Sequence, residues 1–306
     1  DQVRTFSLKH DAERWARSIE SDIDRGQFTN VSVAQQTTLS DLIQRFIREV
    51  LPLKKSLIED SFRLNALSRK PISKWSMANL SPSRIAGYRD ERLKQVSHGT
   101  VIRELSYLSS IINHARREWG INILNPVQLV RKPPTPEGRS RTLNPDERQR
   151  LIQALIPIGR DNFWLKPVVE LALETAMRKG ELLSLRWEHI DLVQQTAFLP
   201  TTKNGDSRTV PLSLEAIRIL KELPRSIDGI VFPIKSANLH ARFKRIAKRA
   251  RLENFRFHDL RHTAVTNMAK KLPNIIELSA VSGHKNLGML KRYYHPDPKQ
   301  LALKLG

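Results

Sequence analysis

The sequence predicts a mainly α-helical protein with one small β-sheet, folded as two domains. Three observations carry that prediction. Apolar residues recur at three- and four-residue spacing through most of the 306-residue chain. A proline- and glycine-bearing stretch at 125–142 interrupts that pattern. The second half alone carries a strong hairpin signal, Asn204-Gly205 between two short runs. A chain of this length, 40% hydrophobic, has enough apolar material for a core in each half.

Residues 5–26, TFSLKHDAERWARSIESDIDRG, read as the end of a strand followed by a helix. Ala12, Trp15, Ala16, Ile19 and Ile23 share one helical face, and Gly26 supplies a stop. From Thr38 to Trp119 the pattern is helical throughout. Leu39, Leu42, Ile43, Phe46, Ile47 and Val50 form one stripe; Val101, Leu105, Leu108, Ile112, Ala115 and Trp119 form another, closed by Gly120. Pro52, Pro71 and Pro82 cut the region into about four helices.

The run NPVQLVRKPPTPEGRSRTLNP, 125–145, has too many prolines for a regular element and reads as a linker. Its basic residues, Arg131 and Lys132 among them, suit a strap lying along a phosphate backbone. Beyond it, PDERQRLIQAL and DNFWLKPVVELALETAMRKGELLSLRW are helical, the second placing Arg178 on a helix whose Leu182 and Leu185 face the core. After the hairpin in QTAFLPTTKNGDSRTVPLS, helical pattern returns at 213–223, 237–251, 259–271 and 273–282.

Lysine and arginine number 52 against 31 acidic residues, a formal charge of +21. Such an excess favours a polyanionic partner, because each neutralised phosphate releases condensed counterions. The helix at 237–251 concentrates it: Arg242, Lys244, Arg245, Lys248 and Arg249 surround Leu239, Phe243, Ile246 and Ala250. Arg103, Arg116 and Arg117 on the helix before Gly120 are further candidates for phosphate contact, as is Arg208 in the hairpin. There are no cysteines, which excludes disulfides and thiol catalysis. No apolar run approaches the ~20 residues of a membrane span. The first residue is Asp1 rather than Met, so the natural protein is expected to extend upstream.

Phosphoryl transfer in DNA needs a nucleophile, donors around the non-bridging oxygens, and an acid for the departing alkoxide. Candidates lie in separate stretches of the second domain: Arg178, Lys203, the HDLRH run at 258–262, His284, and the neighbouring Tyr293 and Tyr294 of KRYYHP. In HDLRH, His258, Arg261 and His262 fall at i, i+3 and i+4 and can share a helical face. Two histidines four apart also resemble a zinc-protease run. Asp259 replaces the required glutamate, however, and Arg261 puts a permanent positive charge where a cation would sit.

These stretches resemble, in order and spacing, the four boxes of the tyrosine recombinases, or phage integrase family, over about residues 38–300. ETAMRKGELLSLRWEHIDL is similar to the first box, with Glu181 supporting its arginine. TKNGDSRTVPLS resembles the hairpin that carries the catalytic lysine, HDLRHT the second box, and SGHKNLGMLKRYYH the last. Tyr293 follows His284 by nine residues and precedes His295 by two, matching the family's ending; Tyr294 does not. The wording is nearest to shufflon-type and mobile-element recombinases. Departures are KKLPN at 270–274 where the family often has glycine, Met289 for a common threonine, and Ser282 for an apolar residue.

The resemblance implies an arm-binding-like remnant at 1–30, a helical core-binding domain at 31–124, a basic linker at 125–142 and a mixed α/β catalytic domain at 143–306. It implies cleavage and rejoining of DNA through a 3′-phosphotyrosyl intermediate on Tyr293, with no metal or other cofactor. Arg178 and Arg261 would hold the non-bridging oxygens, Lys203 would protonate the 5′ oxygen, His258 would take the tyrosine's proton, and His284 would donate to the phosphate. Expected partners are double-stranded recombination sites, further copies in a homotetramer exchanging the C-terminal segment 296–306, and a DNA-bending accessory protein. A cytoplasmic, DNA-bound location in a bacterial, plasmid or phage setting follows. A non-catalytic architectural protein explains the charge but not the boxes; a type IB topoisomerase shares the chemistry but not the core-binding helices.

Overall fold

The computed structural model of the protein describes residues 5–24, 31–54, 57–121, 123–157, 163–201, 205–294 and 298–306. The chain forms two compact units, Asp1–Glu137 and Gly138–Gly306.

The first unit comprises α1 (Lys9–Asp24), α2 (Val31–Gln36), α3 (Leu39–Glu49), α4 (Leu57–Ser68), α5 (Pro82–Leu93) and α6 (His98–Glu118). Residues 5–8 carry no strand, because no described segment pairs with them; Phe6 packs on Trp15 of α1 instead, ring centroids 5.5 Å apart. Gly26, the expected stop for α1, lies outside the described residues. Thr38 and Asp41 form a reciprocal cap that starts α3, and Ser81 with Pro82 starts α5. Leu42, Ile43, Leu64, Ile85, Leu105, Leu108 and Ile112 are buried in the core these helices share. Arg92 of α5 grips Glu104 of α6 with two hydrogen bonds (3.0 and 2.7 Å), and Tyr88 donates to the same carboxylate at 2.7 Å. Gly120, at φ +67, lets Ile121 fold its N–H back to Ala115 and close α6.

The stretch read as a linker is partly structured. Pro126–Leu129 make one turn of 3₁₀ helix, and Val127 and Val130 enter the first core. The anchor is Asn125: its side chain caps Val127 N–H and donates to Ser109 and Asn113 of α6. Proline excludes a long helix but tolerates this short capped turn. Farther on, Arg139 and Leu143 bond to the second unit's own elements, so that unit begins before residue 143.

The second unit runs α7 (Pro145–Ala154), α8 (Leu165–Thr175), α9 (Lys179–Leu183), β1 (Ile190–Asp191), β2 (Thr196–Leu199), β3 (Arg208–Pro211), α10 (Leu214–Lys221), α11 (Ser236–Arg249), α12 (Phe257–Lys271), α13 (Ile275–Ser282) and α14 (Pro298–Leu305). The strands form one antiparallel sheet in the order β1-β2-β3, with Ala197 opposite Val210 and Leu199 opposite Arg208. The fold class is thus mainly α with one small sheet. Asn204, in the expected turn between β2 and β3, lies outside the described residues. Leu165, Val168, Val169 and Ala172 of α8 are buried in the main core with Leu260 of α12 and Phe243 of α11. A smaller cluster joins Ala176, Ala264, Val265, Leu278, Leu290 and Tyr293, bringing the segment that carries Leu290 and Tyr293 onto α12.

Candidate active site

The site begins where α8 stops. The Thr175 hydroxyl bonds back to Leu171 O (2.6 Å) and accepts from Met177 N–H (3.3 Å), while Ala176 turns left-handed at φ +53. The expected single helix is therefore two, and Arg178 sits at the N-cap of α9 rather than within a helix. From there its N–H and its Nη1 each donate to Glu181, both at 2.9 Å. Glu181 is 4% exposed. Burial alone would raise its carboxyl; the Arg178 N–H and the guanidiniums of Arg208 and Arg178 outweigh that and hold it below the usual carboxylate range.

Arg208, expected on DNA, turns inward from β3. It donates to Glu181 at 2.8 Å and to Val281 O at 2.7 Å, and its side chain is 13% exposed. Gly283 makes room for it: a Cβ there would stand 2.8 Å from Arg208 Nε, and φ at Gly283 is +67. Arginines that neutralise a buried acid and arginines that meet solvent look alike in sequence.

Arg261, 4% exposed on α12, donates to Ala176 O at the end of α8 and to Ser282 O at the end of α13 (2.7 Å). Burial and the charge of Arg178 push its pKa down to about 9, which still leaves it charged at neutral pH. Its Nη2 also faces His284 Nε2 at 3.4 Å. The other ring nitrogen, Nδ1, is 2.7 Å from the Ser282 hydroxyl, whose single proton goes to Leu278 O at 2.6 Å. In that arrangement His284 carries its proton on Nδ1 and turns a lone pair toward Arg261. Burial and then the nearby arginines push its pKa down to about 4, so the ring is neutral.

Tyr293 ends a 3₁₀ turn, Lys291–Tyr293, anchored by the buried Leu290. Its side chain is buried; Tyr294, in extended conformation, is half-buried. The Tyr293 hydroxyl is hydrogen-bonded to Nδ1 of His262. The sequence expects His258 in that place, but helical spacing alone does not say which side of α12 meets the tyrosine. His258 is exposed, and its ring meets that of His262 edge-on at 5.2 Å. The one signal for His262 was its position in HDLRH, one helical turn after His258. Burial raises the Tyr293 phenol, partly offset by Arg292 and Arg261.

Arg178, Glu181, Arg261, His284 and Tyr293 are thus linked by contacts through Gly283, Ser282 and the smaller core cluster. Lys203 and His295 lie outside the described residues. Arg103, Arg116 and Arg117 are exposed on α6, and Arg131 and Lys132 are exposed after the 3₁₀ turn. On α11, Lys244, Arg245 and Lys248 are exposed and Arg242 is half-buried. Arg249 has a local task, donating to Ala154 O at the end of α7.

The Phage integrase family matches residues 141–300, within the second unit. The chain is 40% identical over 280 residues to a shufflon-specific DNA recombinase of Escherichia coli, spanning 89% of this chain and 72% of that protein. It is 36% identical over 308 residues to a putative integrase/recombinase of Haemophilus influenzae, spanning 95% and 81%. Among solved structures, a lambda integrase tetramer bound to a Holliday junction aligns with a TM-score of 0.71 at 20% identity, over 96% of this chain and 89% of that one. The Tn1549 transposon integrase with circular intermediate DNA aligns at 0.69 and 18%, over 88% and 99%. The two structures share the fold, and the sequence relatives carry the kinship: this chain belongs to the phage integrase family, the tyrosine-type site-specific DNA recombinases.

Proposed function

We propose that this recombinase acts on double-stranded DNA sites with Tyr293 as its nucleophile. The observation that carries the assignment is the burial of Tyr293 beside Arg261 and His284, with its hydroxyl on a histidine, while Tyr294 leaves the 3₁₀ turn in extended conformation. Attack on the scissile phosphate forms the 3′-phosphotyrosyl bond and releases a 5′-hydroxyl. A second strand's 5′-hydroxyl reverses the step, and the covalent intermediate conserves the bond.

Arg178 and Arg261 each have carbonyl or carboxylate contacts that fix the guanidinium plane, leaving further N–H groups for the non-bridging oxygens. Lys203 protonates the 5′ oxygen. His284 donates to the phosphate from Nε2, which requires that nitrogen to take up a proton; an arriving anion favours this, with Ser282 accepting from Nδ1. Glu181 and Arg208 position Arg178 from behind.

The working assembly in this reading is a homotetramer on two duplexes; lambda integrase, which shares the fold, forms a tetramer bound to a Holliday junction. The segment exchanged between neighbours is α14, whose Leu303 and Leu305 are 85% and 88% exposed. Its DNA inversion or integration substrates are paired sites, aided by a DNA-bending protein. The decisive assay uses a nicked suicide DNA in which a small fragment diffuses away after cleavage. A covalent adduct is expected from the native chain and from Tyr294→Phe, and none from Tyr293→Phe. An adduct surviving in Tyr293→Phe refutes the assignment.

The exposed Lys244, Arg245 and Lys248 of α11 are assigned to the DNA backbone. Replacing all three by alanine is expected to reduce the slope of log affinity against log salt by about 2–3. An unchanged slope removes α11 from the interface.

A further inference from the structure

α12 carries two histidines one turn apart, and they meet the nucleophile differently. His262 Nδ1 is hydrogen-bonded to the Tyr293 hydroxyl, and the rings stack with centroids 5.9 Å apart and planes 25° from parallel. His258 is exposed and stands edge-on to His262. We propose that His262, rather than His258, takes the proton of Tyr293 when DNA is cleaved; this rests on Tyr293 being the nucleophile.

Tyr293 is fixed by its N–H to Leu290 O (2.9 Å), and Leu290 is fully buried against α12. His262 therefore meets a hydroxyl whose position is set by the core. A base must be within hydrogen-bond reach of the proton it removes, and His262 satisfies that before any substrate arrives.

Charge supports the same role. His262 faces His258, Asp259 and Arg261 from its own helix, Arg292 and Tyr293 from the 3₁₀ turn, and His284 from the turn after α13. Burial, then the positive neighbours, push its pKa down to about 4, against the ordinary 6.5. The ring is therefore neutral in the free protein, and the proposed role uses the tautomer with its proton on Nε2, in which Nδ1 accepts from the phenol. Three guanidiniums, those of Arg178, Arg208 and Arg261, gather near one carboxylate, Glu181. A bound phosphodiester adds a negative charge, lowers the local positive potential, and raises the basicity of His262 toward the working pH. The base is thus weak in the empty site and improves when substrate is bound.

The step balances. The Tyr293 proton passes to His262 Nδ1 as the Oη–P bond forms. The P–O5′ bond breaks, and the 5′ oxygen takes its proton from Lys203. Religation runs both transfers backwards.

The test is single-turnover cleavage of the nicked suicide DNA by the full chain. His262→Asn keeps a hydrogen-bonding group at the δ position but does not take up a proton near neutrality. It is expected to lower the cleavage rate by about 10²–10⁴-fold. Installing 3-fluorotyrosine at position 293, a more acidic phenol, is expected to recover at least about tenfold of that loss, because an ionised nucleophile needs no base. His258→Asn is expected to lose less and to show no such recovery.

Native cleavage by His262→Asn, a loss that fluorination does not relieve, or the relief appearing in His258→Asn instead would each overturn the inference while leaving the nucleophile in place. An adduct in Tyr293→Phe overturns the nucleophile reading itself. If His262→Asn does not fold, the native chain's pH–rate profile decides: an acid limb between about 4 and 6.5 that weakens with fluorotyrosine supports His262, and a flat rate there overturns it.

Discussion

Arg261→Lys is expected to lower the cleavage rate by about 10²–10³-fold, with DNA binding changed only a few-fold. One planar guanidinium joins the ends of α8 and α13, through Ala176 O and Ser282 O, and in the proposed reading also holds the phosphate. An ammonium on a flexible stem cannot hold that fork. Burial and Arg178 already push the arginine down to about 9 from 12.5. A lysine starts lower, at about 10.4, and the same burial and the same Arg178 charge would push it down further toward neutrality. Its residual activity is therefore expected to fall as pH rises from 6 to 9, because the neutral amine loses the charge the phosphate needs. A rate that does not fall across that range in the variant would disprove this account of the site's electrostatics.

Glu181→Ala is expected to cost about 2–3 kcal/mol of stability, a fall of about 4–12 °C in the unfolding midpoint. The full cost of breaking a buried pair is discounted here because Arg178 is only half-buried. The carboxylate takes three donors from Arg178 and Arg208, and without it their charges and that of Arg261 repel one another. Added sulfate should then stabilise the variant more than the native chain. The Glu181 carboxyl is held below its unfolded value, so its contribution is present above the ordinary carboxylate range and is lost as pH falls through the lowered folded value. Glu181→Ala should flatten this part of the acid loss. Calorimetry from neutral to acid pH, with and without sulfate, checks both points.

Elements with long periodic stripes were legible before folding. α6 carries Val101, Leu105, Leu108, Ile112 and Ala115 on its buried face, and any other arrangement would expose them. β1 escaped notice because two residues, Ile190 and Asp191, are too short to show alternation. The break between α8 and α9 has no glycine or proline to announce it. It depends on the Thr175 hydroxyl and on Arg261, which lies 85 residues later and bonds the carbonyl of Ala176. The active-site candidates were legible as ordered boxes, since their chemistry fixes residue type and spacing. What the spacing could not reveal was direction: that Arg208 turns toward Glu181, and that His262 rather than His258 meets Tyr293. Both depend on packing between segments distant in sequence.

The contact between Arg139 and Asp259 has a practical consequence for cutting the protein into pieces. Asp259 is fully buried at the start of α12, and Arg139 supplies two hydrogen bonds to its carboxylate, at 2.7 and 2.8 Å. Four residues later, Leu143 N–H bonds the Thr263 hydroxyl on the same helix. A fragment begun at residue 143, where the helical pattern resumes, would strand a buried anion beneath the histidines and the arginine of α12. The irregular residues 138–142 therefore belong to the catalytic fragment's minimal boundary, however much their composition reads as spacer.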